Sequence, residues 1–229
     1  VAFADTLFRA DFKLDDSQDG IIWVKQIDDP RAFGVVKLDN AGVITDFVEK
    51  PETFVSDLAI IGIYYFRDGE YLKNELQFLI DNNIKEKGEF QLTNALENMK
   101  AKGSKFTTGE VKEWLDCGNK DATVYTNSRV LEHIKDQKIV DDSLKSVNSI
   151  IIPPCFIGKN VHLTNSVIGP HVSIGDGTIV ENSVIENSII QKSSKLSNVV
   201  MKNSMIGNNA ELSKKTEELS VGDFNQIIN

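Results

Sequence analysis

The sequence predicts an α/β domain followed by a left-handed parallel β-helix built from hexapeptide repeats. Strands and helices alternate over residues 1–135, and large aliphatic residues recur every five or six positions from residue 157 onward. That spacing is too long for a helix and is typical of a β-solenoid. We expect residues 1–135 to form the first domain, 136–148 a linker, 149–213 the β-helix and 214–229 a C-terminal cap or tail.

The first domain is predicted from runs rich in β-branched and aromatic residues. The expected strands cover residues 21–24, 33–38, 43–48 and 58–66. The turn-forming Asn40-Ala41-Gly42 lies between the second and third, which favours a hairpin. Helical periodicity predicts helices at residues 71–79 and 90–99, and Gly103 is well placed to end the second. A third helix is expected over about residues 122–134, after the Asp116-Cys117-Gly118 turn.

The β-helix is predicted from two repeating patterns. Large aliphatic residues recur in steps of five or six, at Ile157, Leu163, Ile168, Ile174, Val180, Ile185, Ile190, Leu196, Met201, Ile206 and Leu212. Asn165, Asn182 and Asn198 are spaced by 17 and then 16 residues, and Asn187 and Asn203 by 16. Three sides of five or six residues make one coil, so these asparagines should stack on one another. Glycines are expected at the corners, at Gly158, Gly169, Gly175, Gly177 and Gly207.

Composition argues against several classes of protein. The net charge of −9 and the pI of about 4.9 make nucleic acid an unsuitable partner. No apolar run approaches the roughly 18 residues of a membrane span, and charges at Asp5, Arg9 and Asp11 interrupt any signal-peptide pattern. Cys117 and Cys155 lie far apart, which favours a reducing cytoplasm over a disulfide framework. Three histidines and two cysteines do not suggest a zinc site.

Charged residues follow three of the apolar segments. These are Asp5, the pair Glu49 and Lys50, and Asp116. Ligands bind at strand ends in α/β sheets, and carboxylates with a cationic side chain suit a metal-bridged phosphate site. The alternatives are structural: each aspartate can cap a turn, and Glu49-Lys50-Pro51 can be two solvated charges before a proline turn.

Five segments occur in an order that resembles one family. They are Val1-Ala2-Phe3-Ala4-Asp5, Phe33-Gly34-Val35-Val36, Val48-Glu49-Lys50-Pro51, Ala59-Ile60-Ile61-Gly62-Ile63-Tyr64 and Trp114-Leu115-Asp116-Cys117-Gly118. Together they resemble the sugar-1-phosphate nucleotidyltransferases, in particular the glucose-1-phosphate thymidylyltransferase type with a C-terminal repeat domain. The resemblance implies a partial Rossmann-like nucleotidyltransferase domain over residues 1–131, and the repeats extend it to about residue 212.

The resemblance also implies roles for individual residues. Asp5 and Asp116 correspond to the aspartates that hold Mg²⁺, and they form the catalytic set with Lys50, which contacts the sugar phosphate. Glu49 corresponds to a residue that bonds to sugar hydroxyls, and the substrate-binding set is Gly34, Glu49, Lys50, Ile60, Gly62 and Tyr64. A β-bulge remains open for Gly62, and a core position for Tyr64.

The implied reaction joins a nucleoside triphosphate and a sugar-1-phosphate. A sugar-phosphate oxygen attacks the α-phosphorus and pyrophosphate leaves, so positioning and electrostatics supply the rate. The chain departs from the family in beginning inside the strand that carries Asp5, without the glycine-rich loop that binds the nucleotide phosphates, and in having Ala4 where relatives have glycine. We therefore expect these 229 residues to have little or no activity alone.

Two further hypotheses come from the repeats. Hexapeptide β-helices occur in acyltransferases that use a histidine base, and His162 and His171 lie within the repeats; a solvent-facing corner residue is the structural alternative for His171. The third hypothesis is a non-catalytic scaffold that self-associates. A flat face bearing a strip of Val and Ile would suit a homo-oligomer formed through the β-helix.

Overall fold

The computed structural model describes residues 1–11 and 15–215. The chain divides into two compact units, Val1–Asp116 and Cys117–Asn229. This division falls before helix α3 (Lys120–Ile134), whose side chains contact the solenoid of the second unit. The first domain expected from the sequence, residues 1–135, includes that helix, whereas the first compact unit does not.

The first unit is built on a mixed β-sheet with two helices. Its strands are β2 (Gly20–Gln26), β3 (Val35–Leu38), β4 (Ile44–Val48), β5 (Leu58–Phe66) and β6 (Phe106–Glu110), in the spatial order β4-β3-β5-β2-β6. The β2–β6 pair is parallel, and the other pairs are antiparallel. Strands β3 and β4 form the predicted hairpin. The helices are α1 (Gly69–Asp81) and α2 (Leu92–Ala101).

Apolar residues are buried on both faces of this sheet. On one face, Leu72 of α1 and Leu96 and Met99 of α2 pack against a cluster that includes Ile22 and Phe106. The other face buries a second cluster of Ile21, Trp23, Ile61, Ile63 and Val111. Successive residues of a strand point to opposite faces, so the continuous apolar runs of β2 and β5 can supply both clusters.

The beginning of the chain differs from the predicted strand. Ala2 pairs with Ile63 through an isolated bridge, and the Phe3 N–H donates to the Gly62 carbonyl at 2.9 Å. Ala4 and Asp5 then form a turn, and strand β1 (Thr6–Arg9) starts after Asp5 and pairs with β7 (Glu113–Asp116). Asp5 therefore lies in a turn between two paired segments and not at the end of one strand.

The second unit contains a parallel β-helix with about four coils. Its three sheets have the orders β8-β11-β14-β17-β20, β9-β12-β15-β18 and β10-β13-β16-β19. The strands are β8 (Lys145–Val147), β9 (Ile150–Ile151), β10 (Cys155–Ile157), β11 (His162–Thr164), β12 (Val167–Ile168), β13 (Val172–Ile174), β14 (Ile179–Glu181), β15 (Val184–Glu186), β16 (Ile189–Ile190), β17 (Lys195–Ser197), β18 (Val200–Lys202), β19 (Met205–Ile206) and β20 (Glu211–Ser213). The aliphatic positions predicted from the repeat form its core, as expected.

The solenoid includes residues that we expected to form a linker. Val140 pairs with Ile157, the Asp141 N–H donates to the Ile157 carbonyl at 3.0 Å, and β8 pairs with β11. The polar composition of this segment suggested a linker, but its outward positions are polar because they face solvent. The first coil therefore begins within residues 136–148.

Asparagine, more than glycine, occupies the corners that need a left-handed backbone. The positive-φ positions of the coils include Asn148, Asn165, Asn182, Asn187, Asn198 and Asn203. Asn165 Nδ2 donates to Asn182 Oδ1 at 3.1 Å, and Asn187 Nδ2 to Asn203 Oδ1 at 2.8 Å, so the predicted stacking is confirmed. Gly175 serves another purpose, since a Cβ there would lie 2.6 Å from the backbone nitrogen of Lys192 in the next coil.

No described helix has both the length and the apolar character needed to cross a membrane. Most of the predicted cap or tail, residues 214–229, lies outside the described residues, which end at Lys215.

Candidate functional site

A cavity of about 420 Å³ opens in the first unit. Its lining includes every residue that the sequence predicted for the site, namely Asp5, Gly34, Glu49, Lys50, Ile60, Gly62, Tyr64 and Asp116. They come from five segments spread over more than a hundred residues of sequence. The structure therefore brings the predicted set together at one place.

The pairing of β1 with β7 brings the two aspartates to the same wall of the cavity. Thr6 lies directly opposite Asp116 in this antiparallel pair, and Asp5 immediately precedes Thr6. Trp114 Nε1 donates to Thr6 Oγ1 at 2.8 Å, which adds a side-chain bond to the backbone pairing. Two short strands distant in sequence thus bring Asp5 and Asp116 to neighbouring positions in the cavity lining.

The donor set of this wall suits a hard cation with few protein ligands. Among residues 1–11 and 15–215, no three His, Cys, Asp or Glu side chains are grouped so that they could hold a metal ion. A closed cage of protein ligands is therefore not formed by the described residues. Mg²⁺ is commonly bound by one or two carboxylates and completes its shell with water and substrate phosphates. Asp5 and Asp116 fit that requirement.

Glu49 lies on a second wall of the cavity, where it accepts a bond from a buried hydroxyl and borders a glycine. Thr93 Oγ1 donates to Glu49 Oε2 at 3.1 Å. A Cβ at Gly34 would lie 3.0 Å from the same carboxylate oxygen and 3.3 Å from Ile60 Cδ1. The Gly34 carbonyl also accepts the Ile60 N–H at 2.8 Å, which fixes the glycine backbone. Glycine at position 34 therefore leaves the space that Glu49 borders.

Lys50 has a left-handed backbone with φ of 41°. Its N–H donates to the Phe33 carbonyl at 3.1 Å, and its own carbonyl accepts a bond from Lys87 Nζ at 2.8 Å. Strand β4 ends at Val48, so the strand alternation that would point Glu49 and Lys50 to opposite faces does not apply. Both residues line the cavity.

Aromatic residues form much of the remaining lining. The rings of Phe33 and Trp114 meet edge to face with centroids 4.9 Å apart, and those of Phe3 and Tyr64 are 5.6 Å apart. Tyr64 is only 6% exposed, and burial, followed by the nearby charge of Glu49, raises the pKa of its phenol. Its hydroxyl is therefore protonated at neutral pH. The two roles considered for Tyr64, a core residue and a lining residue of the sugar pocket, are compatible, since Tyr64 belongs to the core and also borders the cavity.

Gly62 combines a cavity position with a strand irregularity. Its φ is +79°, and the register of β2 with β5 shifts between Ile22 and Val24, opposite this part of β5. A Cβ at Gly62 would lie 2.8 Å from the Phe3 ring. The β-bulge that was considered for Gly62 is therefore present. The absence of a side chain at Gly62 leaves room for Phe3 at the edge of the cavity.

Comparison with known proteins identifies the family. Residues 2–133 match the model of the nucleotidyl transferase family. The chain belongs to this family. The match covers all of the first unit except Val1 and extends through most of helix α3.

Named relatives of this nucleotidyl transferase family member include three curated proteins. It is 28% identical over 209 residues to a glucose-1-phosphate thymidylyltransferase of Streptomyces antibioticus, covering 84% of the chain and 57% of the relative. A glucose-1-phosphate thymidylyltransferase of Streptomyces griseus is 27% identical, covering 87% and 59%. The low-salt glycan biosynthesis nucleotidyltransferase Agl11 of Haloferax volcanii is 24% identical, covering 90% and 63%. The chain thus spans 57–63% of the length of these relatives.

Several residues that line the cavity were not predicted from the sequence. The start of α2 supplies Phe90, Gln91, Leu92 and Thr93 to the cavity lining. Two polar residues at the start of a helix were the available signal, and they are equally common as helix caps. Gln91 occupies the N-cap position but makes no side-chain capping bond.

The two histidines of the repeats lie in the second unit. His171 Nε2 is 2.7 Å from Glu132 Oε1 of α3, and the His171 carbonyl accepts a bond from Asn127 Nδ2 at 3.3 Å. His162 occupies the outward first position of β11, in register with Lys145 and Ile179. The contacts of His171 link helix α3 to the solenoid, which is a structural role.

Proposed function

We propose that this family member transfers a nucleotidyl group from a nucleoside triphosphate to a sugar-1-phosphate, releasing pyrophosphate. The observation that carries the proposal is the single cavity lined by residues from five separate segments. The names of the Streptomyces relatives make glucose-1-phosphate and dTTP the first substrates to test. Phosphoryl transfer of this kind needs positioning and charge stabilisation more than a protein nucleophile.

Each wall of the cavity has a proposed task. Asp5 and Asp116 would hold Mg²⁺, which when bound would offset the charge of the phosphates. Lys50 would contact the sugar phosphate as a mobile point charge. Glu49 would accept hydrogen bonds from sugar hydroxyls, and its contact with Thr93 orients it for that task. Gly34, Ile60, Gly62 and Tyr64 would shape the space for the sugar ring.

The reaction then follows from this placement. An oxygen of the sugar-1-phosphate attacks the α-phosphorus, a new P–O bond forms, and the bond to the pyrophosphate oxygen breaks with its electrons leaving on pyrophosphate. Lys50 and the two aspartates act on charge and position alone. No proton has to be removed from the attacking phosphate oxygen when it is already ionised.

The direct test is pyrophosphate release from dTTP and glucose-1-phosphate in Mg²⁺, measured on the natural protein that contains these residues. Asp116→Asn should lower kcat by at least about a hundredfold, the scale of losing a charge-stabilising group. Asp136→Asn, at an exposed aspartate of the second unit, is the matched control. Wild-type rates for Asp116→Asn would remove Asp116 from the site. Absence of pyrophosphate release from nucleoside triphosphates with every hexose-1-phosphate tested would overturn the function.

We also propose that the β-helix binds a second copy of the chain. The sheet β9-β12-β15-β18 presents a ladder of outward aliphatic residues in register, Ile150, Val167, Val184 and Val200. Val200 is 76% exposed and Ile150 62%. The ladder repeats at the coil spacing, so an equivalent ladder on another copy can pack against it. This supports the homo-oligomer expected from the sequence.

A further inference from the structure

Strand β4, which leads into Glu49 and Lys50, lies at the edge of the main sheet. Among the strands that the structure describes, β4 pairs only with β3, so the backbone groups on its other side need partners from outside the sheet. Helix α2 packs against this strand. The side chains of α2 supply partners for the free edge.

Three side chains of α2 bond to every second residue of the segment from Thr45 to Glu49. Thr93 bonds to the Glu49 carboxylate, Glu97 Oε1 accepts the Phe47 N–H at 2.5 Å, and Lys100 Nζ donates to the Thr45 carbonyl. Positions 93, 97 and 100 share one helix face, while 49, 47 and 45 alternate along the strand. The helix therefore runs alongside the strand in the opposite direction, with contacts in register.

Glu97 is the centre of this set of contacts. Besides the Phe47 N–H, its carboxylate binds Lys100 Nζ at 2.7 Å. A bond to an ionised acceptor is roughly twice as strong as a neutral one, and α2 is a rigid ten-residue element anchored in the core by Leu96 and Met99. Fixing Phe47 fixes the strand two residues before Glu49. Thr93, from the same helix, then fixes the Glu49 side chain itself.

We propose that α2 is a positioning element for the sugar-binding carboxylate and that Glu97 is a positioning residue that acts through Glu49. This inference rests on the proposed function, because Glu49 is assigned to the sugar there. Glu97 does not line the cavity. It sets the location of a residue that does.

The test is calorimetric titration of the chain with glucose-1-phosphate in Mg²⁺. Glu97→Ala should weaken binding about tenfold, the effect of losing one charged hydrogen bond. Glu97→Gln keeps an oxygen acceptor for the Phe47 N–H and should recover most of the affinity. Glu70→Ala, at an exposed glutamate of α1, is the matched control and should bind like the wild type.

A double-mutant cycle separates positioning from general destabilisation. If Glu97 acts through Glu49, Glu97→Ala should cause little further loss in the Glu49→Gln background. Additive losses in the double variant, or wild-type affinity in Glu97→Ala, would overturn the positioning role while leaving the proposed function intact. If Glu97→Ala does not fold, Thr93→Val tests the other contact by which α2 positions Glu49, and unchanged affinity there would overturn the positioning role of the helix. Failure of the wild-type chain to bind any hexose-1-phosphate would instead count against the proposed function.

Discussion

At the scale of single residues, Gly34 determines how much room the cavity has beside Glu49. An added methyl group would lie 3.0 Å from Glu49 Oε2 and 3.2 Å from Thr93 Cγ2. Both neighbours are held by their mutual hydrogen bond, so neither can move without losing it. The methyl group should therefore affect sugar binding more than it affects the stability of the fold.

We predict that Gly34→Ala weakens binding of glucose-1-phosphate at least about tenfold, since the methyl group would displace the carboxylate and fill part of the cavity. Overpacking of this kind should cost roughly 1–3 kcal/mol of stability at most. Calorimetric titration and thermal unfolding measure the two effects. Gly69→Ala is the control, because a Cβ at that position would have no atom within 4 Å apart from those of its chain neighbours and its own helix backbone. Equal affinities for Gly34→Ala and the wild type would contradict the assignment of this wall.

The corner asparagines combine two separable contributions to stability. Asn165 has φ of 48°, and its side chain accepts from Asn148 at 3.4 Å and donates to Asn182 at 3.1 Å. Asn165→Gly removes the side-chain bonds, but glycine adopts the left-handed backbone without strain. Asn165→Ala removes the same bonds and also strains the left-handed backbone. We predict that alanine is about 1 kcal/mol more destabilising than glycine, measured by denaturant unfolding. Equal values would mean that the backbone conformation carries little strain.

Site residues that belong to a sequence motif could be predicted. Those whose role depends only on a tertiary contact could not. Asp5, Glu49 and Asp116 each follow an apolar segment in a recognisable order. Thr93 and Glu97 lie in an ordinary amphipathic helix, and their meaning depends on the register of α2 against β4. Periodicity defines the faces of a helix, but it does not specify which strand residues a face meets.

At the scale of elements, helix α3 shows the same limit. Its bounds were predicted to within two residues, at Lys120–Ile134. Its packing surface was not predicted, because it depends on separate polar contacts: Asn127 Oδ1 accepts from Ser173 Oγ at 2.6 Å, and Glu132 bonds to His171. These partners are 46 and 39 residues apart in sequence. Residues 136–148, which include β8, are a second example: their polar composition predicts a linker, although they contribute to the first coil.

The contact between α3 and the solenoid should respond to acid. The hydrogen bond from His171, followed by that from Lys135, lowers the pKa of the Glu132 carboxyl below its ordinary 4.5. A carboxyl with a lowered pKa in the folded state stabilises the fold above its unfolded pKa, and this contribution is lost as the pH falls through the lower, folded value. We predict that Glu132→Gln lowers the melting temperature at pH 7 (ordinary assay conditions) and that the difference from the wild type shrinks in acid, below the carboxyl titration.

The control for this acid response is Glu181→Gln, at an exposed glutamate of the solenoid. It should leave the melting temperature unchanged at both pH values. A difference between Glu132→Gln and the wild type that is the same at neutral and acid pH would show that ionisation of Glu132 does not stabilise the contact.

At the scale of the whole molecule, the repeat was the most predictable feature because each coil reproduces the same inward positions. The core aliphatics follow a five- or six-residue rhythm that local sequence displays directly. Outward positions carry more information about partners. The sheet containing β12 is aliphatic at its first outward position in all four strands, whereas the sheet containing β11 has Lys145, His162, Ile179, Lys195 and Glu211 at its corresponding position. The aliphatic face is therefore the expected surface for a second copy.

We predict that the paired substitution Val184→Lys and Val200→Lys lowers the oligomeric state of the chain without unfolding it. Both side chains point outward in adjacent coils, in register across β15 and β18, so two charges there would have to be buried unpaired if another copy packed on this face. Light scattering gives the mass, and circular dichroism reports whether the β-helix persists. Val147→Lys is the matched control, since Val147 is 56% exposed but belongs to the other sheet. An unchanged oligomer in the paired variant would assign the interface to another face, and a wild-type chain that is monomeric at high concentration would remove the proposal.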